Sequence, residues 1–323
     1  MKSFHVLVPD NVDQKAIELL AAAENVYVNA PGNLRRDETM QAIEIANAMI
    51  IRSSTKADAE LLSRAPSLRV IARAGVGVDN VDLDFATERG IIVMNTPGGN
   101  TIATAEHAFG LMLAVSRHIG PAYMSMREGR WDRKTYKGVE LRGKTLGVVG
   151  FGRIGRAIAQ RAIAFEMQVI AADPFVSADI MRQSNVEKVE LTDLYHRADY
   201  ITLHSIITDD TREMINAAAF ESMKEGVYII NAARGALIND ADLYAALESG
   251  KVAGAALDVF HQEPPPEDNP LVGHPRVLHT PHLAASTKEA QVAVAVEAAE
   301  LVIDALNNEK YNHVVNPAVL QTS

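Results

Sequence analysis

The sequence predicts an α/β protein made of two doubly wound, parallel-sheet domains. Three observations carry that prediction. Short apolar runs alternate with helical patterns along nearly the whole chain, which is the rhythm of βαβ units. One of these runs ends in a glycine-rich turn that opens directly into an Ala-rich helix. The 323 residues are 48% hydrophobic but only 5% aromatic, which suits aliphatic sheets covered by helices. That length also fits two domains better than one.

In the first domain, residues 4–8 read as a strand ended by Pro9, with Asp10 and Asn11 as caps for a helix over 12–23. Strands over 26–28, 48–51, 69–72 and 91–94 follow, separated by helices over 37–46, 57–63 and 85–89. Ligands of such sheets sit beyond the carboxyl ends of the strands. Arg52, Ser53, Arg73, Gly75 and Gly77 all fall there. Residues 95–100, with Pro97, Gly98 and Gly99, form a strong breaker. A long Ala- and Met-rich helical pattern then runs over 101–127, interrupted near Gly120 and Pro121, as a crossover into the second domain. Lying outside both sheets, such a helix needs a partner, so a homodimer contact is expected.

The second domain opens with a strand over 146–149 and the pattern Gly150, Gly152, Gly155, which is G-x-G-x-x-G. The first glycine allows the tight turn, the second lets backbone approach a pyrophosphate, and the third lets the helix lie close on the sheet. The helix N-terminus then offers unpaired N–H groups and partial positive charge to phosphates. A second strand over 168–172 ends at Asp173, at the distance where an acidic residue meets the two ribose hydroxyls. Its charge repels a 2′-phosphate, which favours NAD over NADP. This is a Rossmann-like lobe. Later strands over 200–204, 227–231, 254–258 and 277–282 carry Ser205, Arg234, Glu263 and His282 at or just past their ends. A helix over 290–306 returns to the first domain. The expected division is 1–99 with 288–323 for the substrate-binding domain and 100–287 for the cofactor domain, with a cleft between them.

His282, Glu263 and Arg234 suit oxidation of a 2-hydroxy acid. A neutral imidazole is the base best matched to pH 7. A carboxylate on its other nitrogen fixes the tautomer, and an arginine fork grips the substrate carboxylate. Each residue alone has a plain structural reading; their joint appearance at successive strand ends favours chemistry.

The net charge of −10 argues against nucleic-acid and anionic-membrane partners, so an anionic substrate must be held by local arginines. The absence of cysteine excludes disulfides and thiolate chemistry, and no metal site is expected. With neither a signal-peptide pattern nor a membrane-length apolar run, a cytoplasmic location is expected.

Five separated strings resemble the D-isomer-specific 2-hydroxyacid dehydrogenases: RAGVGVDNVD from Arg73, GFGRIG from Gly150, NAARG from Asn231, ALDVF from Ala256 through Glu263 and Pro264, and TPHLAASTKEAQ from Thr280. The resemblance spans essentially the whole chain. It implies a flavodoxin-like substrate lobe beside the NAD-binding lobe. It also implies Arg234, Glu263 and His282 as substrate arginine, orienting glutamate and acid/base histidine. Arg153, Ile154, Asp173, Ser205, Ala232, Ala233, Asp258, Ala284, Ala285 and Val76 match NAD-contacting positions. Arg52, Ser53, Arg73, Gly75 and Gly77 match substrate loops, and Arg133 or Lys134 matches a phosphate contact across a dimer.

IRSSTK from Ile51, WDRK from Trp131 and STKEAQ from Ser286 point within the family to its phosphoglycerate-oxidising branch, with 3-phospho-D-glycerate as substrate. The alternatives are the same chemistry on glyoxylate or hydroxypyruvate, and, in another class, an NAD-sensing corepressor-like interaction protein. Two departures stand out. Ala284 occupies a place that is often glycine in the family. The sequence also ends near residue 323, so serine feedback through a C-terminal regulatory domain is not expected.

Overall fold

The computed structural model describes residues 3–321. The chain divides into two compact units, one holding the residues up to Asn100 with those from Thr287 onward, the other spanning Thr101–Ser286.

The first unit is a five-stranded parallel sheet of β1 (Phe4–Leu7), β2 (Val26–Asn29), β3 (Ala48–Ile51), β4 (Val70–Arg73) and β5 (Ile92–Asn95), ordered β2-β1-β3-β4-β5. This is the flavodoxin-like strand order. Side chains alternate between two cores, as a strand's period of two requires. Val6, Ile50, Ala72 and Met94 pack under Ala298, Leu301 and Val302 of the helix Lys288–Asn308. Leu7, Met49, Ile51, Ile71 and Val93 pack with Leu61, Leu62 and Ala86 on the other face.

The helices are capped by short polar side chains: Asp13 accepts from Lys15 N, Asp58 from Leu61 N, and Asp82 from Phe85 N. The first of these corrects the expectation that Asp10 and Asn11 cap the first helix, which is Gln14–Ala22. Asp10 is instead buried and serves the loop after β3.

The second unit is a seven-stranded parallel sheet of β6 (Thr145–Val149), β7 (Gln168–Ala172), β8 (Glu187–Lys188), β9 (Tyr200–Leu203), β10 (Val227–Asn231), β11 (Val252–Leu257) and β12 (Val277–His279). Its order, β12-β11-β10-β9-β6-β7-β8, is the Rossmann order with one strand added at an edge. The strand order reverses at β6, so the turns after β6 and β9 flank the crevice where such sheets bind ligands.

Two features of the 101–127 region differ from expectation. The helix Thr101–Ser116 does not lie outside the sheet. Ala105, Ala108, Phe109, Leu111, Met112 and Val115 are buried with Leu146, Val148, Ile158 and Ala162, so the sheet layer itself is the partner of this apolar face. The break falls at Arg117 and His118, where His118 adopts φ +52°, rather than at Gly120 and Pro121. Pro121 lies in the first turn of Ile119–Arg127, where a helix needs no amide donor from it. The short helices Ala178–Gln183, Leu191–Arg197, Ala217–Ser222 and Asp240–Ser249 were not resolved by the sequence reading, because each spans three turns or fewer.

Candidate active site

Three glycines shape the turn after β6, each for a different reason. Gly150 sits at φ +90°, and a Cβ there would lie 2.7 Å from the His204 carbonyl oxygen at the end of β9. At Gly155 a Cβ would strike the Gly150 carbonyl oxygen at 2.2 Å. At Gly152, the N-cap of Arg153–Ala164, a Cβ would meet nothing within 4 Å. Nothing in the protein therefore demands glycine at 152, and the open space above a helix N-terminus fits a dinucleotide pyrophosphate. Arg153 is exposed beside it and Ile154 half-buried.

Asp173 does more than the sequence suggests. Its Oδ2 accepts from Phe151 N (2.7 Å) and its Oδ1 from Phe175 N (2.8 Å), so the carboxylate ties the glycine turn to the end of β7. Across the crevice, Ser205 Oγ reaches the Val149 carbonyl at 3.4 Å. Burial pushes the neighbouring His204 imidazole down to about 4. His204 Nε2 lies 2.9 Å from Thr202 Oγ1, and its Nδ1 is buried with no hydrogen-bond partner.

The turn after β10 is built by Asn231, which is buried at the strand end. Its amide donates to the Arg234 carbonyl (2.8 Å) and its oxygen accepts from Ala233 N (3.0 Å), bending the Ala232–Ala233–Arg234 backbone. The Arg234 side chain is half-buried and donates through Nη1 to the Ala233 carbonyl (2.7 Å). Gly235 is required next to it, because a Cβ would lie 2.0 Å from the Phe260 carbonyl carbon. The turn bearing Arg234 therefore packs backbone to backbone against the loop bearing Glu263.

That loop presents Glu263, just before a cis Glu263–Pro264 bond, with Oε1 accepting from Phe260 N (3.1 Å) and Oε2 2.6 Å from His282 Nδ1. His282 adopts φ +53°, an uncommon backbone for any residue but glycine. It is held there because its N–H donates to the carbonyls of Asp258 (2.8 Å) and Thr280 (3.0 Å).

Asp258 is 0% exposed. Its carboxylate accepts from Thr280 Oγ1 (2.5 Å), Leu283 N (2.8 Å) and Ala284 N (2.8 Å). Burial pushes this carboxyl up, but bonds from His107, Thr280, Leu283 and Ala284 outweigh burial and hold it below the usual carboxylate range. Ala284 is buried beneath the turn and Ala285 is half-buried. Asn231, Thr280 and His107 escaped the sequence reading. The first two lie inside the quoted strings, but their work is hydrogen bonding to backbone and to a neighbouring carboxylate, which spacing does not reveal.

In the first unit, the loop after β3 is clamped on both backbone edges. Asp10 accepts from Arg52 N (2.5 Å), Thr55 N (3.3 Å) and Thr55 Oγ1 (2.6 Å). Asn80 donates to the carbonyls of Arg52 (2.7 Å) and Thr55 (2.6 Å). Ser53 is left exposed at the loop tip. The loop after β4 is held likewise: Thr96 Oγ1 accepts from Gly75 N (2.7 Å), and Asn95 donates to the Val76 carbonyl (2.7 Å). Arg73 is half-buried, with Nη1 3.2 Å from the Ala74 carbonyl, and Gly77 is half-buried on the same loop. Arg133 and Lys134 are exposed in the second unit, on the segment that follows Ile119–Arg127.

A Rossmann sheet with an open glycine turn, and a histidine oriented by a carboxylate near its carboxyl end, define an NAD-binding dehydrogenase of the two-unit α/β class. The chain belongs to the D-isomer-specific 2-hydroxyacid dehydrogenase family: residues 109–284 match that family's NAD-binding domain. It is 45% identical to D-3-phosphoglycerate dehydrogenase from Archaeoglobus fulgidus over 98% of this chain and 60% of that protein. It is also 44% identical to hydroxypyruvate reductase from Thermotoga maritima, covering 95% of this chain and 99% of that one. A glyoxylate reductase structure from Paecilomyes thermophila superimposes with TM-score 0.88 at 31% identity, covering 98% and 99% of the two chains. The chain spans about 60% of the length of the phosphoglycerate dehydrogenases it resembles.

Proposed function

We propose that this protein interconverts a D-2-hydroxy acid and its 2-keto acid with NAD, and that its substrate is 3-phospho-D-glycerate, giving 3-phosphohydroxypyruvate for serine biosynthesis. The observation that carries the chemistry is the 2.6 Å contact between His282 Nδ1 and Glu263 Oε2. A carboxylate there fixes the ring proton on Nδ1 and leaves the Nε2 lone pair as the base. His282 takes the proton of the substrate hydroxyl in oxidation and returns it to the carbonyl oxygen in reduction. Glu263 holds the ring's orientation and steadies the imidazolium. Arg234 offers its fork to the substrate carboxylate.

NAD, when bound, supplies the two-electron acceptor that the oxidation needs. The turn of Gly150, Gly152 and Gly155 with Arg153 and Ile154 would hold its pyrophosphate, and Asp173 its ribose. Ser205, Ala232, Ala233, Ala284 and Ala285 would flank the nicotinamide half, with Val76 touching the cofactor through its backbone. In this reading the first unit binds substrate. Arg52, Ser53, Arg73, Gly75 and Gly77 receive the anion, and their clamped loops support a preformed cradle. Two arginines there are more positive charge than one carboxylate needs, which favours a phosphorylated acid. We also infer a cytoplasmic homodimer formed through the second unit. The exposed Ile119, Tyr123, Met124, Met126 and Trp131 supply an apolar surface for it, and Arg133 lies nearby in sequence to reach a partner's substrate.

The match to a hydroxypyruvate reductase along 99% of its length favours a second reading, the same chemistry on an unphosphorylated acid. Comparing kcat/KM for 3-phospho-D-glycerate with D-glycerate, and for the corresponding keto acids with glyoxylate, separates the two. No preference for the phosphorylated acid would retire the first.

A further inference from the structure

The helix Thr101–Ser116 directs an imidazole at the turn that holds His282. His107 Nε2 lies 3.2 Å from Asp258 Oδ1 and 3.1 Å from Thr280 Oγ1. The Thr280 hydroxyl already points its proton at Asp258 Oδ1, 2.5 Å away. A bare ring lone pair would then face two oxygens with no hydrogen between them. Nε2 therefore carries the hydrogen and donates it.

The other side-chain and amide donors on this carboxylate, Thr280 Oγ1, Leu283 N and Ala284 N, belong to the same turn and move with it. His107 does not. Its helix is locked into the sheet layer by Ala108, Leu111 and Met112, packed with Leu146, Val148 and Ile158. Asp258, just past β11, ties the turn to the sheet, and the His107 bond ties the same carboxylate to the helix layer as well.

We propose that His107 is a positioning residue. Through the Asp258 carboxylate it fixes the backbone of His282, Leu283 and Ala284 at the angle that aims the His282 ring, and it thereby sets the rate of proton transfer. The inference rests on the reading of His282 as the acid/base. The two ends of the histidine are then held independently, the ring by Glu263 and the backbone by Asp258 with His107 behind it.

The test compares His107→Leu, His107→Gln and His282→Ala with the parent, measuring kcat, KM for NAD and the thermal midpoint. Losing a donor to a buried carboxylate should lower kcat of His107→Leu roughly 10- to 100-fold. KM for NAD should stay within about twofold. His107→Gln can place an amide N–H near the position of the ring Nε2–H and should recover most of kcat. A merely structural histidine would lower the thermal midpoint in both variants and leave kcat per folded molecule intact. If His107→Leu does not fold, His107→Asn, whose amide is too short to reach Asp258, replaces it. A parent-like kcat in His107→Leu with an inactive His282→Ala overturns this inference alone. A parent-like kcat in His282→Ala overturns the acid/base reading and this inference with it. A His107→Gln no better than His107→Leu also counts against the donor role.

Discussion

The backbone of His282 allows strain and chemistry to be separated at one residue. Its φ of +53° lies in the left-handed region, where a side chain with a Cβ costs about 1–2 kcal/mol relative to glycine. Replacing His282 by Ala or by Gly removes the same contact with Glu263, so that loss cancels when the two variants are compared. What remains is the strain released by glycine, offset by the extra unfolded-chain entropy of glycine, about 0.4–1 kcal/mol. His282→Gly should therefore be more stable than His282→Ala by about 0.5–1 kcal/mol. For a domain of this size that is roughly 1–4 °C in thermal midpoint. Both variants should be inactive to a similar degree. Calorimetry of the two proteins with NAD absent, beside steady-state rates, provides the assay. An Ala variant equal to or more stable than the Gly variant would refute the claim that the turn holds this residue in a strained conformation for its chemistry.

Three further outcomes follow from the geometry. In Glu263→Gln one oxygen can still accept from His282 Nδ1, but the amide then turns its N–H toward the Phe260 N–H, so one of two bonds is lost; kcat should fall roughly 10- to 100-fold. Steady-state kinetics showing an unchanged kcat would mean that neither the Phe260 bond nor the carboxylate charge matters to turnover. Asp10→Ala strips the acceptor from Arg52 N, Thr55 N and the Thr55 hydroxyl, and should destabilise the first unit by about 2–4 kcal/mol and raise KM for the hydroxy acid more than it lowers kcat. Denaturant unfolding and kinetics check both parts. His204 is neutral in the folded protein with its pKa lowered from 6.5 to about 4, so the unfolded chain binds the extra proton first. Stability from this group is complete above about pH 6.5 and is lost as pH falls toward 4. The midpoint of His204→Gln should depend less on pH than the parent's across that window.

The elements that lay open in the sequence were those whose pattern and burial agree. Ala48–Ile51 and Val227–Asn231 are short aliphatic runs buried in sheet interiors, and their limits could be read directly. The glycine turn was legible because Gly150 and Gly155 answer separate steric demands and Gly152 leaves open space at the helix N-terminus. The helix Thr101–Ser116 was recognised as a helix but misplaced, since an apolar helix looks the same whether it covers its own sheet or another chain. Asp10 was misread for a related reason: an acidic residue ahead of a helix resembles a cap, and only tertiary structure shows its carboxylate turned to a loop more than 40 positions along the chain. Arg234, Glu263 and His282 could be named from strand ends. The contact between the last two could not, nor could the dependence of the His282 backbone on Asp258, because hydrogen bonds between distant turns leave no periodic trace.

The most direct test of the assignment is the rate of oxidation of 3-phospho-D-glycerate by His282→Ala, measured beside its dissociation constant for NAD. The account predicts that kcat falls by roughly two to four orders of magnitude while NAD binds as in the parent. A variant that turns over at the parent rate would contradict it.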